Sequence, residues 1–320
     1  MPLYVGACLA DLDEIACCPR CWAPLDLACA NPRCTNVDCL YSVEGFPRVN
    51  GQPALIDFDR SVFSRSAYDD AVGSVKPRDD SGSSLATRLW HLIFGTNLVA
   101  PAKSRAMLGL VKRNTAHPII LVIGGGAIGS GANALYRDQG VQTLGTDVYA
   151  SVNTHVLADG HHLPFKSGVF DGVWIQAVLE HVLEPQTVVD EIYRTLKRGG
   201  YVYADTPFMQ QVHEGAYDFT RFTQSGHRWL FRRFEQIDAG TVAGPGVTLI
   251  FSVRYFVRAL GFPDKIATLA ALPFFWLRLL DRFARRRPSA DGASSTFFFG
   301  RKSEEMLVPK DMVNYYDDQQ

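Results

Sequence analysis

The sequence has no cysteine after residue 39, no long apolar run and almost no net charge. Seven cysteines lie within the first 39 of its 320 residues, and the formal net charge is −1. A disulfide-stapled secreted protein rarely confines its cysteines in this way, so the cluster favours metal binding in a reducing compartment. The lack of an 18-residue apolar run argues against a membrane-spanning helix. The low net charge argues against a protein whose main role is to coat nucleic acid.

The opening residues also lack the features of a secretory signal. Residues 1–14 have no basic start and contain Asp11, Asp13 and Glu14. We therefore expect a cytoplasmic protein. The hydrophobic fraction of 47% is that of an ordinary globular chain, which excludes a collagen-like or fully disordered protein.

Composition divides the chain into four regions. Residues 1–58 hold the cysteines and a short apolar stretch, and residues 59–117 form a linker with lead-in helices, including a Gly- and Ser-rich linker at 73–84. Residues 118–240 alternate β-branched runs with helical stretches, which is typical of βαβ units around a parallel sheet. Residues 241–320 are expected to form a basic, aromatic helical extension and a tail.

Periodicity within the α/β region predicts strands and helices in alternation. The strands are expected at 119–123, 141–146, 156–157, 171–175 and 201–206. The helices are expected at 130–139 and 187–196, the second closing in the basic-then-glycine segment 197–200.

A glycine-rich turn, GGGAIGSG, occupies residues 124–131 after the first predicted strand. Glycines there let the backbone approach a ligand, while N–H groups at the start of the next helix face it. Asp147 lies at the end of the second strand, where a carboxylate suits the hydroxyls of a ribose. Asp159 follows the third strand, at a level where it could meet an adenine amino group. The alternative for each signal is a purely structural turn or a solvent-exposed strand end.

Five motifs in this order resemble the class I S-adenosylmethionine-dependent methyltransferases. Over about residues 118–240 they read GGGAIGSG, LGTDVY, LADGHHLPF, SGVFDGVWIQAVLEHV and LKRGGYVYADTP. The resemblance implies an α/β fold with a Rossmann-like, seven-stranded sheet, one reversed strand and helices on both faces. It also implies an S-adenosylmethionine site in which glycines shape the methionine pocket, one aspartate holds the ribose, and another faces adenine. The residues that match these roles, with one glutamine on the pocket wall, are Gly124, Gly126, Gly129, Asp147, Asp159, Gly160 and Gln176.

Two features depart from the family pattern. Val122 stands where the family often has an acidic residue, two positions before the first glycine. The glycine turn is also one residue longer than the common form. The sequence is compatible with an enzyme that methylates a small molecule and with one that methylates RNA. The two departures add a third interpretation, in which a methyltransferase-shaped scaffold binds a partner without catalysis.

Four of the cysteines are spaced as two pairs on short turns, Cys18, Cys21, Cys34 and Cys39. Two thiolate pairs can close a tetrahedral zinc site without an open position, and such a site stabilises a segment too small for its own core. We expect structural zinc here, with Cys17 and Cys29 as competitors for the same positions and metal-free reduced cysteines as the alternative. The following residues 41–56 resemble the zinc-ribbon segment that precedes some methyltransferase domains.

The acceptor site is expected in the loops after the fourth and fifth strands. Methyl transfer is an in-line displacement, so positioning supplies much of the rate, and a hydroxyl acceptor would need help to lose its proton. His213 is the preferred base and His181 the second candidate, each with a structural role as the alternative. Asp218 and Arg221 lie in a YDFTRFT run that resembles segments of glycan and natural-product methyltransferases. We therefore predict methylation of a small molecule or saccharide at oxygen.

The C-terminal third is basic, because residues 221–310 carry 15 Lys and Arg against 7 Asp and Glu. An apolar stretch at 266–280 leads into the basic residues up to 287. Such a segment could lie on an anionic inner membrane surface through 266–287, or it could pack on the sheet or on a partner subunit. Together with the cysteine segment, the basic C-terminal third could bind RNA. An RNA methyltransferase is therefore an alternative interpretation.

Overall fold

The computed structural model describes residues 12–69 and 85–317. Cys8 and the linker predicted at 73–84 lie outside these ranges. The strands are β1 Leu25–Asp26, β2 Arg33–Cys34, β3 Arg48–Val49, β4 Gln52–Pro53, β5 Ile119–Ile123, β6 Gln142–Asp147, β7 Val156–Leu157, β8 Phe170–Gln176, β9 Leu196–Pro207, β10 Phe234–Ala243 and β11 Ser295–Lys302. The α-helices are α1 Leu12–Ile15, α2 Leu40–Val43, α3 Ser66–Asp69, α4 Leu85–Phe94, α5 Val99–Asn114, α6 Ala132–Arg137, α7 Pro185–Thr195, α8 Gln224–Leu230, α9 Pro245–Ala259, α10 Asp264–Ala271, α11 Leu277–Leu280, α12 Arg286–Asp291 and α13 Asp311–Asp317.

Seven strands form the central sheet in the order β10-β11-β9-β8-β5-β6-β7. Strand β11 runs antiparallel to both of its neighbours, and the remaining neighbours in this sheet are parallel. This arrangement confirms the predicted Rossmann-like sheet with one reversed strand. The chain order reverses at β5, which has β6 on one side and β8 on the other. Open α/β sheets bind ligands beyond the carboxyl ends of the strands at such a point.

The central strands are apolar on both faces because helices cover both faces of the sheet. On one face, Val173 of β8 packs in a core that includes Ile192 of α7. On the other face, Trp174 of the same strand packs in a core that includes Met107 of α5, and it stacks on Tyr203 with 4.0 Å between ring centroids. Because neighbouring residues of β8 alternate between the two cores, the register of β8 is fixed, and with it the face of the sheet on which each of its side chains lies.

Two differences from the expected boundaries change the composition of the sheet. Helix α7 ends at Thr195, and the basic-glycine segment 197–200 belongs to strand β9 instead of closing the helix, because buried Leu196 already pairs with Phe170 of β8. The sheet also extends past residue 240, since β11 lies between β9 and β10 and the helices α9 to α12 are inserted before it. This pairing joins strands far apart in the chain, so no local pattern predicts it. Within the described ranges, we find no helix with the length and apolarity needed to cross a bilayer.

Residues 12–69, the N-terminal segment, pack on the edge of the sheet at β7. Ala54 forms a parallel bridge with Leu157, and the Tyr68 hydroxyl donates a 2.7 Å hydrogen bond to the Val148 carbonyl. The segment itself contains two short hairpins, β1-β2 and β3-β4. It therefore reaches the carboxyl ends of the strands, where the candidate site lies.

Candidate active site

A cleft of about 730 Å³ opens beyond the carboxyl ends of β5, β6 and β8. Its walls come from the glycine turn, the ends of these strands, the loop after β9 and the N-terminal segment. The structure brings seven of the predicted site residues to this cleft, namely Gly124, Gly129, Asp147, Asp159, Gly160, Gln176 and His181. Gly126 bonds directly to one of them, Asp147, and the His213 ring lies against that of His181 with 5.2 Å between centroids. The predicted cofactor and acceptor residues thus lie around one cleft.

The glycine turn folds back onto the end of β6. The Gly126 N–H donates to Asp147 Oδ2 at 2.8 Å, and the Val148 N–H donates to Oδ1 of the same carboxylate at 2.7 Å. A Cβ at Gly126 would lie 2.7 Å from Asp147 Oδ2. At Gly124, φ is +74° and a Cβ would lie 2.3 Å from Val178 Cγ2. The turn therefore needs glycine for conformation and for space, and it holds the Asp147 carboxylate at the cleft wall.

Asp159 is tied to the N-terminal segment and to its own turn. Its carboxylate accepts a 2.5 Å hydrogen bond from the Ser61 hydroxyl and a 2.6 Å bond from His161 Nδ1. His161 Nε2 accepts the Glu184 N–H at 3.2 Å, so the ring proton lies on Nδ1. Burial favours a higher pKa, but the bonds from His161 and Ser61 outweigh it and hold the pKa of Asp159 below its ordinary value.

Gln176 ends β8 and leads to a buried carboxylate behind the cleft wall. Its side-chain amide donates to Asp205 Oδ2 at 3.1 Å, and the same oxygen accepts from Tyr203 at 2.9 Å and from Asn97 at 3.0 Å. Burial raises the pKa of Asp205 to about 6, and the three donors oppose that rise. This network fixes the orientation of Gln176 beside the glycine turn.

Glu180, His181 and His213 form a group that we call the carboxylate–histidine cluster. His181 Nε2 lies 3.6 Å and His213 Nε2 lies 4.0 Å from Glu180 Oε1. Glu180 is fully buried on the short helical turn after β8, and burial raises the pKa of its carboxyl to about 8. The structure thus places the two predicted histidines together, with the buried Glu180 carboxylate within 4.0 Å of both Nε2 atoms.

Asp218 pairs with Arg221 and supports this cluster. Arg221 Nη2 donates to Asp218 Oδ2 at 2.9 Å, and the His213 backbone N–H donates to the same oxygen at 2.8 Å. Burial opposes ionisation, but these contacts outweigh it and hold the pKa of Asp218 well below its usual range. Asp218 is therefore an anion that orders the loop carrying His213.

A second group, which we call the sulfur cluster, lies in the N-terminal segment. Its members, whose sulfur atoms all lie within 4.8 Å of one another, are Cys18, Cys21, Cys34 and Cys39. The Cys21–Cys34 and Cys18–Cys39 sulfur distances are 3.4 and 3.8 Å. Sulfurs at the corners of a tetrahedral zinc site lie about 3.8 Å apart when each Zn–S bond is about 2.3 Å. The donor set therefore fits a closed zinc site.

The two competing cysteines do not join the sulfur cluster. Cys17 is buried, with its backbone N–H donating to the Pro164 carbonyl at 3.0 Å. The Cys29 thiol instead donates to the Asp26 carboxylate at 3.1 Å.

Sequence reasoning missed the contribution of the N-terminal segment to the cleft. Val62 and Phe63 line it, and the Phe63 ring stacks on Tyr217 of the loop after β9 with 6.3 Å between centroids. Ser61 bonds to Asp159 from 98 positions away. No local pattern signals such contacts.

Comparison with known proteins identifies the central domain. Residues 121–204 match the family described as a methyltransferase domain. A demethylmenaquinone methyltransferase of Clavibacter sepedonicus is 30% identical over 167 residues, covering 50% of this chain and 65% of that protein. A ubiquinone/menaquinone biosynthesis C-methyltransferase of Rhizobium johnstonii is 29% identical over 117 residues, covering 35% of this chain and 42% of that protein. The chain thus spans less than two thirds of either relative.

Two solved structures are also similar in part. The phosphoethanolamine N-methyltransferase 2 of Haemonchus contortus in complex with S-adenosyl-L-methionine aligns with a TM-score of 0.42 and 20% identity over 73% of this chain and 61% of that chain. The geranyl diphosphate C-methyltransferase of Streptomyces coelicolor aligns with a TM-score of 0.40 and 16% identity over 63% of this chain and 75% of that chain. The family match and the strand order agree with the resemblance of the five motifs. Residues 121–204 therefore match a methyltransferase domain, and the strand order is that of the Rossmann-like fold that the five motifs imply.

Proposed function

We propose that the protein transfers a methyl group from S-adenosylmethionine to a small-molecule acceptor. The observation that carries this proposal is the Asp147 carboxylate, which the glycine turn holds at the mouth of a cleft at the point where the strand order reverses. The cleft volume of about 730 Å³ lies within the usual range for sites that hold small ligands. When bound, the cofactor supplies a methyl group on a sulfonium centre.

The cofactor contacts follow from the positions of the predicted residues. Asp147 would accept the ribose hydroxyls, and the cleft wall at Asp159 and Gly160 would face adenine. The methionine end would lie against the glycine turn, where Gly124, Gly126 and Gly129 leave room, and against Gln176. Because Ser61 and His161 already donate to Asp159, adenine would share that carboxylate with them.

For the acceptor, we propose a hydroxyl group whose proton leaves with help from His213 or His181. His181 lies on the cleft wall, and His213 is ordered by Asp218. The nearby lining is apolar and aromatic, including Phe63, Tyr217 and Phe219, which suits a flat ring better than a saccharide.

The names of the curated relatives favour a second candidate, methylation of a ring carbon in a quinone-type acceptor. Transfer from a cofactor carrying a ¹³C-labelled methyl group to a hydroquinone separates the two, because a methoxy carbon and a ring-methyl carbon have different chemical shifts. A methoxy product supports oxygen as the acceptor atom, and a ring-methyl product shows instead that carbon is the acceptor atom.

The sulfur cluster is proposed to hold a structural zinc ion that orders the N-terminal segment as a zinc-ribbon-like unit. The supporting observation is the fit of four sulfur atoms to one tetrahedron. The Trp22 ring, between two of these cysteines, stacks against the Arg194 guanidinium at 3.9 Å and so joins the unit to α7.

We also propose that the protein, located in the cytoplasm, contacts the inner membrane surface through residues 266–287. Leu269, Trp276 and Phe283 are exposed large apolar side chains, and Arg285 and Arg286 beside them are exposed. Apolar side chains with adjacent cations suit an anionic lipid surface. Co-sedimentation with phosphatidylglycerol vesicles should fall when Leu269 and Phe283 are both changed to Ser. Equal sedimentation of wild type and variant would contradict the proposed membrane contact.

The first experiment is calorimetric titration of S-adenosylhomocysteine into wild type and Asp147→Ala, with zinc content measured on the same batches. We expect micromolar binding by wild type, about −8 kcal/mol, and binding at least tenfold weaker in the variant. Asp138→Ala is the matched control, since this carboxylate pairs with Lys112 instead of lining the cleft. A folded, zinc-loaded wild type that binds no S-adenosylhomocysteine would favour the scaffold interpretation.

A further inference from the structure

The Glu180 carboxylate is buried and has no hydrogen-bond partner within residues 12–69 and 85–317. Its exposed fraction is zero, and neither oxygen has a donor among the described residues. The backbone of the same residue is well held, since its carbonyl accepts the N–H of Phe219 at 2.8 Å and of Thr220 at 3.3 Å. A buried carboxylate without a partner costs several kcal/mol unless a proton or a cation accompanies it. The site therefore needs a proton or a cation at these oxygens.

His181 directs a lone pair at this carboxylate. Its Nδ1 lies 2.7 Å from the Tyr217 carbonyl, which can only accept, so Nδ1 carries the proton. Nε2 then has a lone pair, lacks a hydrogen-bond partner in the described chain, and lies 3.6 Å from Glu180 Oε1. Two electron-rich atoms face each other at a distance that an intervening cation would satisfy.

His213 completes the arrangement from the loop after β9. Its Nδ1 lies 3.3 Å from the Gln211 carbonyl and 3.4 Å from Asp218 Oδ2, which leaves Nε2 on the side of Glu180 at 4.0 Å. An imidazole oriented by a carboxylate or carbonyl on one nitrogen is the usual surrounding of a metal-ligating histidine. Both histidines of the cluster have this surrounding.

We propose that Glu180, His181 and His213 bind a divalent transition-metal ion beside the cleft. One donor atom from each residue lies within 4.8 Å of the others. Two imidazoles and one carboxylate suit Zn²⁺, Mn²⁺ or Fe²⁺ and leave coordination positions open. Because His181 is part of the cleft wall, those positions would be available to oxygen atoms of an acceptor.

The metal site does not depend on the proposed methyl transfer, but its role toward the acceptor does. A bound cation would orient a hydroxyl group and lower its pKa. On this assignment His181 and His213 are both metal ligands, and neither acts as the free base considered above.

The test is a titration of Mn²⁺ into the purified full chain, whose zinc content is recorded first. The electron paramagnetic resonance signal of free Mn²⁺ measures how much Mn²⁺ is bound. We expect one saturable Mn²⁺ site per chain and at least tenfold weaker binding in Glu180→Gln and in His213→Gln. His117→Gln, which changes an exposed histidine outside the cluster, should bind as wild type does. A second equivalent of Zn²⁺ should compete for the same site.

The inference is overturned if wild type binds neither Mn²⁺ nor a second Zn²⁺, or if Glu180→Gln binds Mn²⁺ as tightly as wild type. Titration of S-adenosylhomocysteine into the same samples separates this result from the proposed function. If the chain binds S-adenosylhomocysteine but not Mn²⁺, only the proposed metal site is contradicted. If it binds Mn²⁺ but not S-adenosylhomocysteine, only the proposed methyltransferase activity is contradicted.

Discussion

The sulfur cluster and the carboxylate–histidine cluster both bring together atoms of the types that ligate metals, but they differ in donors and in surroundings. Four thiols surround one point in a small segment of short hairpins. Two imidazoles and a carboxylate lie beside a large cleft, on the turns that follow β8 and β9. Closed four-sulfur sites are structural, whereas three-ligand sites with open positions are typical of catalysis. The comparison indicates that the surroundings of a cluster, as much as its donors, decide its role.

The two regions are nevertheless connected through the cleft. The N-terminal segment has a small core in which Val49, Ile56 and Tyr68 pack with Leu157 of β7. Beyond that core, the same segment sends Phe63 into the cleft wall. Loss of order near the sulfur cluster should therefore reach the cofactor site, while changes at the carboxylate–histidine cluster should stay local.

The largest effect is expected when Cys18 and Cys39 are both changed to Ser. Zinc should be lost, trypsin should cut within residues 12–69, and affinity for S-adenosylhomocysteine should fall at least thirtyfold. The reason is that metal binding supplies on the order of 10 kcal/mol of folding free energy in small zinc-dependent units. Zinc analysis, limited proteolysis and calorimetry measure the three outcomes.

Cys29→Ser is the control for this pair, because its thiol bonds to Asp26 outside the sulfur cluster. It should keep zinc, protease resistance and affinity. If the double variant bound S-adenosylhomocysteine as wild type does, the N-terminal segment would not be needed for the cofactor site.

Asp205 provides a buried carboxylate that has three donors, in contrast to Glu180. Its pKa of about 6 lies above the ordinary 3.8, so the native state holds the proton more tightly than the unfolded state. Its contribution to stability is therefore complete below about pH 4 and is lost as the pH rises through 6. Asp205→Asn can accept the same bonds without ionising. We expect it to gain roughly 1–3 kcal/mol relative to wild type between pH 4.5 and 7.5.

Urea unfolding of wild type and Asp205→Asn at both pH values measures this change. A difference in unfolding free energy that stays constant between the two pH values would contradict the raised pKa.

Asp218→Asn should weaken Mn²⁺ binding about tenfold, because a carboxylate that orients a ligating histidine typically contributes tenfold or more to affinity. Zinc content and S-adenosylhomocysteine affinity should stay unchanged. Asp264→Asn is a matched control, since this aspartate also pairs with an arginine, Arg254, but lies outside the cluster. Unchanged Mn²⁺ affinity in Asp218→Asn would show that His213 is not held through Asp218.

Local sequence signals were sufficient for much of the cofactor site but not for the rest. The glycine turn and Asp147 belong to one strand–turn–helix–strand unit, so their spacing predicted where they would meet. The four paired cysteines were likewise recognisable by spacing.

Contacts between distant segments could not be predicted in this way. Phe63 reaches the cleft because its segment packs on β7, and strand β11 enters the sheet between two strands that precede it. Such packing depends on the shapes of surfaces that form only when the chain folds. The orphaned state of Glu180 is similarly invisible in a Leu-Glu-His run, because it depends on which donors the surrounding loops fail to bring near.

The smallest expected effect tests the link between the two regions. Phe63 lies in the N-terminal segment, which also carries the sulfur cluster, and it stacks on Tyr217. The Tyr217 carbonyl accepts the hydrogen bond that orients His181. Aromatic pairs of this kind contribute about 0.5–1.5 kcal/mol beyond their buried area. In a double-mutant cycle of Phe63→Ala and Tyr217→Ala, we expect a coupling energy of about 0.5–1 kcal/mol in S-adenosylhomocysteine affinity. Additive effects would mean that each ring acts on the cleft independently, and any coupling between the two regions would then run through other contacts, such as the bond from Ser61 to Asp159.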